Sequence, residues 1–191
     1  MSFFSFFESY FLKVRYVMKY EKVAEVSSCV KCYPMDQVNV DDIARVADKR
    51  LASYLTLRRD NKAWVFFEYL ESGARLGYGF LHTPQQTEWN DSLPTKAGEA
   101  RISSTFVYPE NRGRGIRSEI CNAQSKYAAD NCLKLWSVIE RSNKSSIKAA
   151  TKTGYVKRKN YLIKFLGRNV ISIIIQPFEV YLLLGSRRAR R

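Results

Sequence analysis

The segment Arg112-Gly113-Arg114-Gly115-Ile116-Arg117 concentrates more potential chemistry than any other stretch of this sequence. Its two glycines allow a tight backbone turn and close approach to a ligand, and its three arginines surround that turn with positive charge. A strand-like run, Glu99 to Val107, comes before it. Helical spacing of Ile120, Ala123, Gln124, Tyr127 and Ala128 follows, predicting a helix over 118–131. The first amides of a helix have no partner within it and carry partial positive charge. A strand, a glycine turn and a helix in this order therefore suit a phosphate or pyrophosphate. The turn lacks G-x-x-x-x-G-K and does not fit G-x-G-x-x-G, which excludes two common nucleotide fingerprints.

Two further side chains could move protons. Glu99 opens the strand that leads to the turn, and its plain alternative is a solvated strand-end carboxylate. His82 is the one histidine; its unperturbed pKa of about 6.5 suits a base, and its plain alternative is a packed structural residue. Cys29 and Cys32 form a C-x-x-C, with Cys121 and Cys132 elsewhere. A zinc site needs roughly two more soft ligands beside such a pair, so reduced, inert thiols and no metal are the expectation.

The elements that position these residues read as a mixed α/β domain. Phe3, Phe4, Phe7, Phe11 and Val14 have near-helical spacing and predict an amphipathic helix in residues 3–20. Residues 23–33 read as a strand ended by Pro34. A helix follows, with Ile43, Val46, Ala47, Leu51 and Tyr54 on one face and Asp36 or Asn39 as its cap. Residues 63–70 and 74–82 form a hairpin around Glu71-Ser72-Gly73. A long polar segment, 83–98, separates it from the strand 99–107. A strand over 133–139, a helix over 143–153 ended by Gly154, and strand-like runs 155–165 and 170–184 complete the chain.

Composition agrees with one domain over 1–191, with an N-terminal segment 1–22 and a basic tail 186–191. Hydrophobic residues are 46% and charged residues 26% of the 191, as in ordinary globular chains. The net charge of +14 favours anionic partners: a phosphorylated cofactor, nucleic acid or an anionic membrane surface. The apolar N-terminus has no leading positive charge and makes a poor signal peptide. No run reaches the ~20 apolar residues of a membrane span. A cytoplasmic protein is expected, with peripheral membrane contact or a homodimer through the N-terminal segment as secondary roles.

Residues 99–155 resemble the core of a GNAT-superfamily N-acetyltransferase. The family's phosphate-binding signature is Q/R-x-x-G-x-G/A after a strand. Arg112 takes its first position and Gly115 its fourth, while Arg117 stands at the sixth, where the family has a small residue. Downstream, Asn143 and Ser146 match N-x-x-S/A, with Gly154-Tyr155 after the helix. The first 20 and last 25 residues have no close match.

This resemblance implies a GNAT-like central mixed, mostly antiparallel sheet flanked by helices and splayed at an acetyl-CoA site. Arg112, Gly113, Arg114, Gly115, Ile116 and Arg117 would hold the pyrophosphate. Backbone groups of 103–107, Phe106 and Val107 among them, would pair with the pantetheine arm as an added strand does. Asn143 and Ser146 would contact or orient the cofactor. The implied activity is transfer of acetyl to an amine by direct attack on the thioester, the acceptor being a small molecule such as an amino sugar or nucleotide-linked amine. Glu99 and then His82 are the candidate bases. Many family members carry a tyrosine as general acid where Ala150 stands here, leaving Tyr108, Tyr127 or Tyr155 as substitutes. The alternatives are a protein or RNA acetyltransferase, or a non-catalytic basic module that binds nucleic acid through the tail.

Overall fold

The computed structural model describes residues 12–20, 26–39, 48–58, 61–90, 93–165, 169–176 and 179–186. In chain order the elements are β1 Leu12–Tyr20, β2 Val30–Pro34, α1 Lys49–Arg58, β3 Trp64–Glu71, β4 Ala74–His82, β5 Glu88–Asn90, β6 Leu93–Thr95, β7 Glu99–Val107, α2 Ile116–Asp130, β8 Lys134–Glu140, α3 Lys144–Lys152, β9 Tyr155–Phe165, β10 Asn169–Gln176 and β11 Glu179–Ser186. The chain divides into two compact units. One comprises Lys22–Glu88 and Thr95–Leu135; the other comprises Met1–Glu21, Trp89–Pro94 and Trp136–Arg191. Among the described residues no helix is long and apolar enough to cross a membrane.

The first unit is built on an antiparallel sheet in the order β2-β3-β4-β7. Trp64 to Glu68 of β3 are all buried, so this strand is covered on both faces, and alternate side chains serve different layers. Phe66 packs with Met35, Leu51, Leu55, Tyr78 and Phe80, on the side of α1. Phe67 meets Tyr127 of α2 edge-on, with ring centroids 5.9 Å apart. Helix α1 forms because Asp48 caps it, its Oδ1 accepting from the amides of Arg50 and Leu51 at 2.9 and 3.1 Å. Leu51 and Leu55, one turn apart, then enter the core at 1% and 0% exposure.

The second unit pairs β1 with β8 and β9, then β9 with β10 and β10 with β11, all antiparallel. Helix α3 connects β8 to β9. The Asn143 side chain caps it by accepting from the Ser146 amide at 3.1 Å.

Several elements depart from the sequence expectation. Residues 12–20 form β1 rather than a helix, because Leu12-Lys13-Val14-Arg15-Tyr16 alternates with the period of a strand. The phenylalanines that suggest helical spacing lie outside the described residues. Of the strand expected over 23–33, Val30–Pro34 is strand, preceded by a turn at Ser28 and Cys29, while residues 23–25 lie outside the described residues. Asp48 caps α1 and Met35–Gln37 is a short 3-10 turn; residues 40–47, which would follow an Asp36 or Asn39 cap and include Ile43, Val46 and Ala47, lie outside the described residues. The polar segment 83–98 contains β5 and β6. The run 170–184 is two strands, paired from Asn169↔Ser186 to Gln176↔Glu179. Pro177, which cannot donate to a ladder, falls between them. The tail beyond Ser186 lies outside the described residues.

Candidate active site

The site begins with an irregularity in β7. Tyr78 pairs with Phe106 but Phe80 pairs with Ser103, so the register slips by one residue opposite Gly79. Ser104 takes φ +53° there. This is a β-bulge, a device that re-aims side chains and recurs beside active sites. Gly79 makes room for it. A Cβ on Gly79 would stand 2.9 Å from Gln124 Nε2, 3.0 Å from Ile120 Cγ2 and 3.3 Å from Thr105 Oγ1. Helix α2 can thus lie close against β4. Buried Gln124 donates from Nε2 to the Phe80 carbonyl at 3.2 Å, anchoring α2 beside the bulge.

That anchoring fixes the glycine turn at the start of α2. After β7, Pro109–Asn111 makes a 3-10 turn, and Gly113 and Gly115 follow at φ +83° and +80°. Both conformations lie in the left-handed region that side chains disfavour. No atom stands within 4 Å of an ideal Cβ at either glycine, so the turn is open as well as tight. The Gly115 carbonyl accepts from the amides of Ser118 and Glu119 at 2.8 and 3.2 Å, starting the helix. The arginines divide in placement. Arg112 lies against Phe106, its guanidinium carbon 6.0 Å from the ring centre, and donates to the Val107 carbonyl at 3.4 Å. Arg114 Nη2 donates to both carboxylate oxygens of Glu71, at 2.9 and 2.6 Å, and its Nη1 donates to Asn111 Oδ1 at 3.2 Å. Arg117 is half-buried and bonds the buried Cys121 thiol. Burial raises the pKa of that thiol, and Arg117 partly opposes the rise.

A cavity of about 760 Å³ opens beside this turn in the same unit. Its walls come from the start of α1 (Asp48, Arg50), the β3–β4 hairpin (Leu70, Gly73, Arg75), the end of β7 (Phe106, Tyr108) and Glu110 of the 3-10 turn. Phe106 belongs to both features: Arg50 lies 4.9 Å from its ring centre and Arg112 lies 6.0 Å away. Tyr108 donates its hydroxyl to Asp48 Oδ2 at 2.8 Å. Burial and that bond push the Tyr108 pKa well up. Burial also lifts Tyr78, to about 12. Tyr54 behaves in the opposite way. Burial raises its pKa, but bonds from Arg50 and Ser104 and the charges of Arg50 and Arg58 outweigh that, so the hydroxyl lies below its ordinary value. The Arg50 and Arg58 guanidinium carbons stand 5.7 and 5.0 Å from the Tyr54 ring centre.

The two bases suggested by sequence stand elsewhere. His82 is 1% exposed and stacked on Trp64, with ring centres 4.5 Å apart. Its Nδ1 meets Thr95 Oγ1 at 3.2 Å and its Nε2 meets Glu88 Oε2 at 3.0 Å. Burial lowers its pKa, against the bond from Glu88. Both ring nitrogens are thus engaged and the ring has no exposed edge. Glu99 lies at the opposite end of β7 from the glycine turn. Its carboxylate accepts from the Lys96 amide at 3.0 Å, closing the turn before the strand.

In the other unit, the Asn143 carbonyl is engaged as a helix cap, and Ser146 and Ala150 are buried in α3. Tyr155 is 3% exposed in β9, and Tyr127 packs on Phe67. Tyr54 reads in the sequence as a helix core position, whereas the structure sets its ring beside Arg50 and Arg58. The available signal was Arg50, Tyr54 and Arg58 at i, i+4 and i+8, one stripe of a helix.

Comparison with solved structures places this architecture in the GNAT fold. The chain is similar to a GNAT-family protein from Novosphingobium aromaticivorans, with a TM-score of 0.57 at 14% identity, over 78% of this chain and 62% of that one. It is similar to a GNAT-family acetyltransferase from Colwellia psychrerythraea, with a TM-score of 0.57 at 20% identity, over 80% and 54%. A GCN5-related N-acetyltransferase from Sphaerobacter thermophilus matches with a TM-score of 0.50 at 13% identity, over 84% and 54%. The chain thus spans less than two thirds of the length of each. No family model and no curated protein matches the sequence.

Proposed function

We propose that this chain binds acetyl-CoA at the turn 112–117 and transfers the acetyl group to an amine. The observation that carries this reading is the turn itself: two left-handed glycines, open to solvent, between β7 and the N-terminus of α2 in a GNAT fold. Such a turn fits a pyrophosphate, because backbone amides and the helix dipole meet it without interference from a Cβ. Gly113, Gly115 and the first-turn backbone of Ile116 and Arg117 would form the cradle. Arg112 would add charge from the Phe106 side. Arg114 would first have to leave Glu71. Backbone groups of 103–107, with Phe106 and Val107, would pair with the pantetheine arm.

Acetyl-CoA supplies an activated thioester, whose acetyl carbon takes the amine nitrogen while the C–S bond breaks and CoA thiol leaves. The protein must remove a proton from the attacking amine. We assign that task to Tyr54. Arg50 and Arg58 favour its phenolate, and Ser104 connects it to the bulge. Glu99 and His82 are poorly placed for it, for the geometric reasons above. Tyr108 is held as a donor to Asp48 and resists ionisation.

The test is release of CoA thiol from acetyl-CoA with a panel of amines, with acetylated product identified by mass. Acetyl-CoA binding without transfer to any amine would leave a binding module and remove the catalytic half of the proposal. Absence of binding would remove both halves.

A further inference from the structure

The cavity beside the glycine turn has an imbalance of hydrogen-bonding groups. Two carboxylates line it: Glu110, which is exposed, and Asp48, which is committed to the fold, its Oδ1 accepting from the Arg50 and Leu51 amides and its Oδ2 from Tyr108. The donors are not matched in this way. Arg75 has a side chain only 12% exposed and uses Nε on Glu68 at 2.7 Å. Its Nη1 is buried with no hydrogen-bond partner. The Tyr78 hydroxyl, close to Asp48 and packed on Phe106 and Tyr108, is likewise buried without a partner. Arg50, by contrast, is exposed: it lies over Phe106 and bonds Tyr54, with Tyr78 and Asp48 also nearby. Buried polar groups are rarely left unpaired, so Arg75 Nη1 and the Tyr78 hydroxyl call for a partner, whether a water, an ion or a ligand.

Size and lining narrow the occupant. About 760 Å³ suits a small molecule. Phe106 and Leu70 offer apolar contact, while Arg50 and Arg75 offer guanidinium groups that match the planar or tetrahedral oxygens of an acid. We infer that this cavity is an acceptor subsite for an amine that also carries an oxyanion, a carboxylate or a phosphate, held by Arg50 and Arg75. The inference rests on the acetyltransferase reading above for the role of the amine. The oxyanion site itself is defined by side chains independent of the glycine turn.

The experiment uses matched probes that differ only in the anionic group: phenylalanine against phenylalaninamide, and glucosamine 6-phosphate against glucosamine. Each is titrated calorimetrically into the intact chain in the presence of CoA, for wild type, Arg50→Met and Arg75→Lys. The lysine variant keeps a charge opposite Glu68 while removing the buried Nη1. One anionic probe should bind about tenfold or more tightly than its neutral twin, as charged hydrogen bonds in a partly buried site allow. Which pair shows the preference decides between carboxylate and phosphate. Both variants should reduce it, with acetyl-CoA affinity little changed. Equal binding of both twins in both pairs would overturn the inference, as would no binding by any probe. So would a preference that survives both substitutions, or a loss confined to acetyl-CoA affinity, which would assign the cavity to the cofactor. Loss of acetyl-CoA binding in the wild type alongside an intact anionic preference would instead defeat the acetyltransferase reading and leave the oxyanion site standing.

Discussion

Gly115→Asp and Gly115→Asn introduce side chains of nearly the same shape that differ by one charge. Gly115 sits at φ +80° with no atom within 4 Å of a new Cβ, so the Cβ of either side chain meets no obstacle. Both residues tolerate the left-handed region better than most, and whatever strain remains is common to the two variants. Their difference therefore isolates the effect of a negative charge at the proposed pyrophosphate cradle. Unit charges about 4 Å apart interact by about 1 kcal/mol in bulk water and about 4 kcal/mol at a partly shielded surface. Residue 115 is exposed, which points to the lower part of that range. Each 1.4 kcal/mol is a factor of ten, so Asp should weaken acetyl-CoA binding about tenfold relative to Asn. Folding should move the other way, because an acid at a helix N-terminus is stabilising by about 0.3–1 kcal/mol. The assay is calorimetric titration of both variants with acetyl-CoA, alongside thermal unfolding without ligand. Weaker binding in the more stable variant is the expected pattern. Equal affinities would refute the placement of the pyrophosphate on this turn.

Four other outcomes follow from the same geometry. Tyr54→Phe keeps the ring against Phe80 but removes the hydroxyl; transfer should fall steeply with acetyl-CoA affinity unchanged. The rise of the wild-type rate with pH, through a Tyr54 pKa below the ordinary tyrosine value, should vanish in the variant. Burial lowers the His82 pKa, so the unfolded chain binds that proton more readily. The stability contribution is complete above the ordinary histidine value of about 6.5 and is lost as pH falls toward the folded value; His82→Gln should flatten that part of the unfolding-against-pH curve. Gly79→Ala pushes a Cβ to 2.9 Å from Gln124 Nε2 and should cost about 1–3 kcal/mol in urea unfolding, with acetyl-CoA affinity falling as α2 shifts. Asp48→Ala removes the cap of α1 and the acceptor of Tyr108; the cap alone is worth about 1 kcal/mol, measurable by the same unfolding.

What the sequence reveals follows from how local each feature is. The hairpin β3–β4 and the strand β7 are legible because runs rich in aromatic and β-branched residues and a Ser72-Gly73 turn act within a few residues. The glycine turn is legible for the same reason. β1 is misread because the phenylalanine spacing upstream masks the alternation of Leu12 to Tyr16. His82 looks available in sequence, yet Trp64, Glu88 and Thr95 enclose it only once the strands are assembled. Tyr54 fails in the other direction. Its hydroxyl becomes chemically distinct through Ser104, a bulge residue far along the chain, and through arginines that read as an ordinary helix surface. The bulge depends on the register of β4 against β7, which no single segment encodes.

The most direct measurement is a calorimetric titration of the intact wild-type chain with acetyl-CoA, repeated with excess CoA as competitor. Saturable binding at one site, displaced by CoA and weakened by rising salt as expected for a phosphate held by arginines and helix amides, is the predicted result. No saturable binding at millimolar acetyl-CoA would contradict the account.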